Sequence, residues 1–183
     1  MQTDEEEKNE GVAKEEQINI KSRRKRSESF ATTMWLWEDP ENIPFMFDSS
    51  FEEEYKLIVK KAKTLWEGST CLKFVEVTAP PENNKSYILL TRDGGSCTTD
   101  NLGPKRYSPY KTVVDTSLCS NEAGLGPLVH EFGHVIGLTH SQNRLDRDDY
   151  LRIYVDNIMP DWIQQYNKDD PAYFSNWGVP FYY

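Results

Sequence analysis

The sequence predicts an α+β fold. Short apolar segments bounded by prolines and glycines are typical of strands, and they lie at residues 43–47, 71–78, 87–90 and 112–118. The longer segment 50–66 repeats its apolar residues at three- and four-residue steps, which indicates a helix. A second helix is expected soon after Gly126 and Pro127. With 183 residues, the chain is long enough for one domain with a substantial core, divided into two lobes about a cleft.

Local signals indicate where these elements begin and end. Ser49 or Ser50 is expected to cap the first helix, whose first turn carries glutamates, and Gly68 is expected to end it.

The chain after the second helix has weaker patterns. We expect a charged turn at 146–150, an extended segment at 151–155 and a short helix at 160–166 with a proline in its first turn.

Residues 130–140 fit the pattern HExxHxxGxxH and contain all three histidines of the chain. On a helix, the four-residue step from His130 to His134 places both imidazoles on one face, where they can bind one metal ion. Gly137 can adopt the left-handed conformation that ends a helix, so that His140 returns as a third ligand. Three imidazoles leave a zinc ion with an open position for water, from which Glu131 would take a proton. The sequence therefore predicts one zinc ion per chain and Glu131 as the catalytic base.

The alternative interpretation is a buried helix with two hydrogen-bonded histidines. It is supported by an apolar, core-facing set comprising Leu128, Val129, Phe132, Val135, Ile136 and Leu138. For a single histidine on such a helix, the buried-helix interpretation would be favoured over metal binding. Here every histidine lies at ligand spacing with the acid and the glycine in their required places, which favours zinc.

Composition limits the function classes. The net charge of −9 and the pI near 4.9 argue against nucleic acid as a partner, since only one short basic run could follow phosphates. An aromatic content of 13% argues against wholesale disorder. No apolar stretch approaches the length that spans a bilayer, so no transmembrane segment is expected. The chain opens without a signal peptide, which taken literally predicts a cytosolic protein.

The cysteines and a glycosylation sequon agree less well with a cytosolic protein than with a secreted one. The chain has three cysteines and no CxxC motif, so one cysteine is left over after any pairing within the chain. Asn84-Lys85-Ser86 is a glycosylation sequon, which has meaning only in a secreted protein.

The first 26 residues are expected to form a disordered, propeptide-like tail, because residues 1–20 contain few apolar side chains. The basic run at 21–27 is compatible with a solvated patch, a nuclear import signal or a protease cleavage site. Its position just before an aromatic segment favours cleavage after Arg26, which leaves a domain at 27–183.

Several motifs in order resemble the astacin family of zinc metalloendopeptidases, a branch of the metzincins. The resemblance runs from about Trp37 to Tyr183 and includes the zinc motif. Its other parts are Ile43-Pro44-Phe45, Thr70-Cys71-Leu72-Lys73-Phe74, Gly95-Ser96-Cys97, the run from Asn143 to Tyr150, and Asn157-Ile158.

The resemblance implies a two-lobed fold with a horizontal cleft. The upper lobe, 27–140, would hold a twisted mixed sheet, a backing helix and the zinc helix, and 141–183 would begin a mostly irregular lower lobe. It further implies a secreted zymogen that hydrolyses internal peptide bonds of protein or peptide substrates. The strand at 87–90 would form an edge of the sheet, along which an extended substrate would lie antiparallel. His130, His134 and His140 would bind zinc, Glu131 would act as general base, and Cys97 would pair with Cys119.

The sequence also departs from the family pattern. The family's partner for Cys71 is absent, and the chain is expected to stop before the methionine turn and the zinc-binding tyrosine. Ser141 stands where family members carry glutamate, and the tail lacks the family's Phe-x-Gly-Asp latency motif.

Two alternatives stay open. The missing part of the lower lobe leaves open a truncated zinc-binding domain with little or no catalytic activity. The expected lack of a signal peptide leaves open an intracellular binding or regulatory protein in which residues 21–26 direct nuclear import.

Overall fold

The computed structural model of the chain describes residues 36–169, which fall into two compact units, 36–140 and 141–169. The predicted tail at 1–26 and the basic run lie outside the described residues. Within the described part, no helix is long and apolar enough to cross a membrane.

Five strands form one mixed sheet in the first unit. They are β1 (Ile43–Phe47), β2 (Phe74–Glu76), β3 (Tyr87–Thr91), β4 (Thr98–Thr99) and β5 (Lys111–Asp115). Their order is β2-β1-β3-β5-β4, and every neighbouring pair is parallel except β4 and β5. With the helices described next, this sheet confirms the predicted α+β class.

The prediction that residues 87–90 form a sheet edge is wrong. β3 lies at the centre, hydrogen-bonded to β1 on one side and β5 on the other. Its sequence, Tyr-Ile-Leu-Leu-Thr, is apolar without alternation, and Ile88 and Leu90 are fully buried. A continuous apolar run of this kind is typical of a strand covered on both faces. The edges of the sheet are β2 and β4.

Two helices pack with the sheet around one core. They are α1 (Glu53–Ser69) and α2 (Leu125–Val135). α1 contributes three buried residues, Ile58, Val59 and Ala62. The core cluster also includes Ile43, Phe45, Phe74, Ile88, Leu90, Val114, Leu128, Phe132 and Val135.

The predicted ends of several elements differ from the observed ones. α1 begins at Glu53 with no side-chain cap and continues through Gly68, so the predicted serine cap is wrong. Ser50 Oγ instead accepts a hydrogen bond from the Arg92 backbone N–H at 2.9 Å, which ties the chain before α1 to the end of β3. Similarly, β5 stops at Asp115 rather than at residue 118, because the Asp115 side chain holds the turn that follows.

Asp115 binds both segments that carry the disulfide cysteines. Its carboxylate accepts hydrogen bonds from the Ser96 backbone N–H at 2.7 Å and from the Ser117 backbone N–H at 3.0 Å, as well as from both serine hydroxyls. The predicted bridge between Cys97 and Cys119 is confirmed, with a Cα–Cα distance of 5.7 Å. The turns at the disulfide are therefore organised around one buried carboxylate.

Two tryptophans hold α2 through its backbone. The Trp66 indole N–H donates to the Val129 carbonyl at 3.0 Å, and the Trp37 indole N–H donates to the Val135 carbonyl at 2.9 Å. The ring of Trp66 also lies against Gly133, at a distance where a β-carbon would be in ordinary contact. These bonds fix α2 at both ends of the segment that carries its histidines.

The second unit, 141–169, contains short 3-10 turns, and none of them has a buried residue. Asn143 donates to the carbonyls of Gln165 and Asn167, and Arg144 forms a two-bond ion pair with Asp146. The predicted short helix is confirmed as the 3-10 helix Pro160–Tyr166, whereas no strand forms at residues 151–155. Polar contacts rather than a core hold this unit together.

The Asp115 carboxylate makes the stability of the fold depend on pH. Burial alone would raise the pKa of Asp115, but hydrogen bonds from Ser117 and Ser96 outweigh it and lower the pKa below its ordinary value. The stability that ionised Asp115 contributes is therefore present above the ordinary pKa and lost as the pH falls through the lowered one.

We expect Asp115→Asn to lower the free energy of unfolding by about 2 kcal/mol at neutral pH, because hydrogen bonds to a charged acceptor are lost. We also expect it to flatten the acid slope of stability below about pH 4. Urea unfolding across a pH series measures both effects, with the exposed Asp93→Asn as control. An unchanged acid slope in Asp115→Asn would contradict this account.

Two glycines near the start of α2 differ in the space around them. A β-carbon at Gly124 would meet the Cys119 backbone at 2.4 Å, whereas one at Gly126 would meet nothing within 4 Å. We expect Gly124→Ala to cost about 1–3 kcal/mol of stability by overpacking, and Gly126→Ala to raise stability by up to about 1 kcal/mol through helix propensity. Thermal unfolding compares the pair, and equal melting temperatures would refute the close approach at Gly124.

Candidate metal centre

The turn after α2 brings the third histidine back towards the first two. Gly137 has a φ of 98°, which only glycine adopts at little cost, and its N–H donates to the His134 carbonyl at 2.8 Å. The Leu138 N–H donates to the Gly133 carbonyl at 2.9 Å. This pair of bonds is the Schellman motif that closes a helix. The predicted role of Gly137 in ending the helix is confirmed.

The three imidazoles converge. His140 Nε2 lies 3.1 Å from His130 Nε2 and 3.1 Å from His134 Nε2. One ligand nitrogen from each ring lies within 4.8 Å of the other two. All three histidines belong to the first unit, 36–140. The structure thus places the three predicted ligand residues together.

These distances fit a tetrahedral metal. Nitrogens bound to zinc at 2.0–2.1 Å in tetrahedral geometry lie about 3.4 Å from one another, close to the observed separations. Three imidazole nitrogens suit zinc better than magnesium or calcium, which prefer oxygen ligands. The cluster can therefore hold a zinc ion with little movement of the side chains.

The turn that closes α2 also orients His134. His134 Nδ1 lies 2.7 Å from the Leu138 carbonyl oxygen. Because a carbonyl can only accept, Nδ1 carries the proton, and the lone pair of this imidazole is on Nε2, which faces the other two rings. A backbone carbonyl behind the ring commonly fixes the tautomer of a ligating histidine in this way.

The electrostatics of the cluster favour neutral imidazole. Burial, together with the neighbouring His134 and His140, lowers the pKa of His130. A neutral ring nitrogen is the form that binds metal. His130 is the exposed member of the three, so the cluster is accessible from solvent on its side.

Glu131 lies beside the cluster and is only 8% exposed. Burial raises the pKa of its carboxyl group above the ordinary value, and the nearby His134 and the Thr99 backbone only partly offset this rise. Such a carboxylate, partly desolvated next to a metal-binding cluster, has the character expected of a general base.

The edge strand β4 reaches the same carboxylate. Thr98 pairs with Asp115, and the Asp100 N–H donates to the Val113 carbonyl at 3.0 Å, so both neighbours of Thr99 face β5. The backbone of Thr99 therefore faces the free side of the sheet, and from there it lowers the pKa of the Glu131 carboxyl group. The sheet edge and the catalytic candidate are thus close to each other.

Sequence reasoning found the histidines, Glu131 and Gly137 but missed the groups that position them. Those groups are the indoles of Trp37 and Trp66, the Leu138 carbonyl, and the Gly103 N–H, which donates to the His134 carbonyl at 2.9 Å. All four contacts end at a backbone carbonyl, and in one of them the donor is also a backbone N–H, so the backbone groups leave no pattern in the sequence. The only available signal was the two tryptophans themselves, which usually require a hydrogen-bond acceptor when buried.

Comparison with known proteins gives related sequences. Embryonic protein UVS.2 of Xenopus laevis is 32% identical over 141 residues, which cover 77% of this chain and 25% of that protein. Zinc metalloproteinase dpy-31 of Teladorsagia circumcincta is 30% identical over 169 residues, covering 92% and 26%. Bone morphogenetic protein 1 of Xenopus laevis is 35% identical over 149 residues, covering 80% and 19%. The chain thus spans about a quarter of the length of these relatives.

A solved structure is similar as well. High choriolytic enzyme 1, a hatching-enzyme zinc protease from Oryzias latipes, aligns with a TM-score of 0.65 and 26% identity, covering 81% of this chain and 70% of that chain. The sequence profile of the Astacin peptidase family matches residues 29–183. From this match, and from relatives that share its fold and sequence, the chain belongs to the astacin family.

Proposed function

We propose that this chain is part of a zinc-dependent endopeptidase that hydrolyses internal peptide bonds of protein or peptide substrates. The observation that carries the proposal is the convergence of three imidazoles, with His140 Nε2 lying 3.1 Å from Nε2 of each of the other two and a buried carboxylate beside them. Family membership supports it, because relatives at 30–32% identity are named zinc metalloproteinases.

His130, His134 and His140 hold one zinc ion per chain in this proposal. When bound, zinc supplies a positive charge that makes a water molecule acidic near neutral pH and polarises the carbonyl to be cleaved. The hydrogen bond from His134 to the Leu138 carbonyl and the closing turn at Gly137 keep the ligand nitrogens in position.

Glu131 acts as general base. Its carboxylate accepts a proton from the attacking water, and the same oxygen then gives this proton to the departing amine. The Thr99 backbone lies near this carboxylate, and burial keeps the carboxylate poorly solvated. A peptide substrate would lie extended along the free side of β4, beside that carboxylate.

The protein is secreted in this proposal. The Cys97–Cys119 bridge supports an oxidising compartment, because disulfides persist outside the cytosol and are rare within it. Residues 1–26 serve as a propeptide removed by cleavage after Arg26. The domain at 27–183 then comprises an upper part, 27–140, and the beginning of a lower part, 141–183.

We expect Glu131→Gln to retain stoichiometric zinc and to lower the rate of peptide-bond cleavage by about a hundredfold to ten-thousandfold, the usual contribution of a general base. Elemental analysis measures the zinc, and cleavage of a quenched fluorescent peptide measures the rate. Glu122→Gln, an exposed carboxylate on the turn before α2, is the matched control.

Two results would contradict the proposal. One is a zinc-loaded Glu131→Gln protein that cleaves at the wild-type rate. The other is a longer protein that contains this whole chain, binds stoichiometric zinc and cleaves no peptide, which favours a zinc-binding domain without catalysis.

We expect His140→Ala to weaken zinc binding by more than about tenfold, since even groups that only orient a ligand commonly contribute that much. Ser141→Ala, a change at the exposed neighbour, should bind zinc as the wild type does. Competition with a fluorescent zinc indicator measures both affinities. The proposal also requires a chelator to abolish cleavage and added zinc to restore it, so activity that survives complete removal of metal would reject it.

A further inference from the structure

We infer that Asn84 is a site of N-linked glycosylation. Asn84-Lys85-Ser86 is the only Asn-X-Ser/Thr sequon in the sequence, and its middle residue is not proline. The inference rests on the secretion proposed above, and it assigns a carbohydrate to a surface that the proposed peptidase reaction does not use.

The sequon lies at the tip of an exposed loop. Residues 77–86 connect β2 to β3, and residues 82–85 are all exposed. Asn83 and Asn84 have φ values of 58° and 56°, a left-handed turn that asparagine tolerates better than most residues. Because Asn84 and its neighbours in this turn are exposed to solvent, a large carbohydrate has room there.

The amide of Asn84 is available for modification. Within residues 36–169, the Asn84 side chain makes no hydrogen bond or ion pair, so attachment of a sugar breaks no contact of the fold. By contrast, Ser86 is anchored, because its hydroxyl donates to the Lys105 carbonyl at 2.9 Å. The base of the loop is therefore held while its tip carries the acceptor nitrogen.

The position of the loop is compatible with catalysis. The loop enters β3 at Tyr87, and Tyr87 pairs with Lys111 at the beginning of β5. The edge strand β4 pairs with Val114 and Asp115 at the other end of β5. A carbohydrate on Asn84 thus begins at the opposite end of the strands from the Thr99 backbone and leaves the free side of β4 open.

The reaction is a group transfer from a lipid-pyrophosphate-linked oligosaccharide. Asn84 Nδ2 forms a bond to the anomeric carbon of the first sugar, and the bond from that carbon to the pyrophosphate oxygen breaks. The lipid pyrophosphate leaves with the bonding electrons, and Nδ2 loses one of its two protons. No oxidant or reductant is required.

The test expresses the full chain behind a cleavable secretory leader in animal cells. We expect a slower-migrating form that collapses to the unmodified size after treatment with a peptide N-glycosidase. This enzyme converts the attachment asparagine to aspartate, which peptide mass spectrometry locates. Cell lysate and medium are both analysed, so that a variant retained in the cell is still scored.

The sequence offers matched controls for this test. Asn84→Gln should abolish the shift, whereas Asn83→Gln should retain it, because Asn83 is exposed in the same turn but is followed by Asn84-Lys85. Ser86→Ala removes both the sequon and the bond to Lys105, while Ser86→Thr keeps a hydroxyl for both. The shift should therefore vanish in the first serine variant and persist in the second.

The outcomes separate this inference from the function on which it rests. Leader-driven protein that shows no shift, or a shift that survives Asn84→Gln, overturns the glycosylation site whatever the enzyme activity. Wild-type and Asn84→Gln proteins should cleave peptide at the same rate, and a loss of zinc or cleavage in both would count against the peptidase instead.

Discussion

The reversal of the chain at Gly137 is the constraint on which the metal centre depends. A straight continuation of α2 would carry His140 past the two earlier imidazoles, since a helix advances 1.5 Å per residue. The positive φ of Gly137 permits a closed turn, and the same turn presents the Leu138 carbonyl to His134. One backbone conformation thereby sets the position of the third ring and the tautomer of the second.

The turn can position His140 only if α2 itself is fixed, and contacts with the rest of the first unit fix it. Trp66 and Trp37 donate hydrogen bonds to the carbonyls of Val129 and Val135. Phe132 packs edge-on against Phe74, with ring centroids 5.3 Å apart. The sheet edge reaches the same region through Thr99, whose strand is tied to the disulfide by Asp115. Packing and hydrogen bonds therefore hold the helix from three sides: α1, the sheet and the segment before β1 that carries Trp37.

The sequence predicted the features that depend on spacing and periodicity. The histidine cluster follows from helical steps and a glycine, and β1 and the core face of α1 follow from apolar repeats. It failed where tertiary pairing decides. β3 was expected at an edge but lies at the centre, because the sequence of one strand does not show which strands pair with it. Ser50 was expected to cap α1, but its hydroxyl accepts a hydrogen bond from the Arg92 backbone N–H instead. The Asp115 and tryptophan contacts join residues far apart in sequence, so no local sequence pattern predicts them.

The brevity of β4 limits how another chain can align with the sheet. The strand has two residues, and only Thr99 turns its backbone outward, with its N–H already directed to Glu131. An extended segment that slides by one residue along this edge finds no second outward-facing backbone group within the strand. The register of an incoming main chain is thus set at a single position. So short an edge also offers few backbone groups for non-specific strand pairing, to which longer exposed edges are prone.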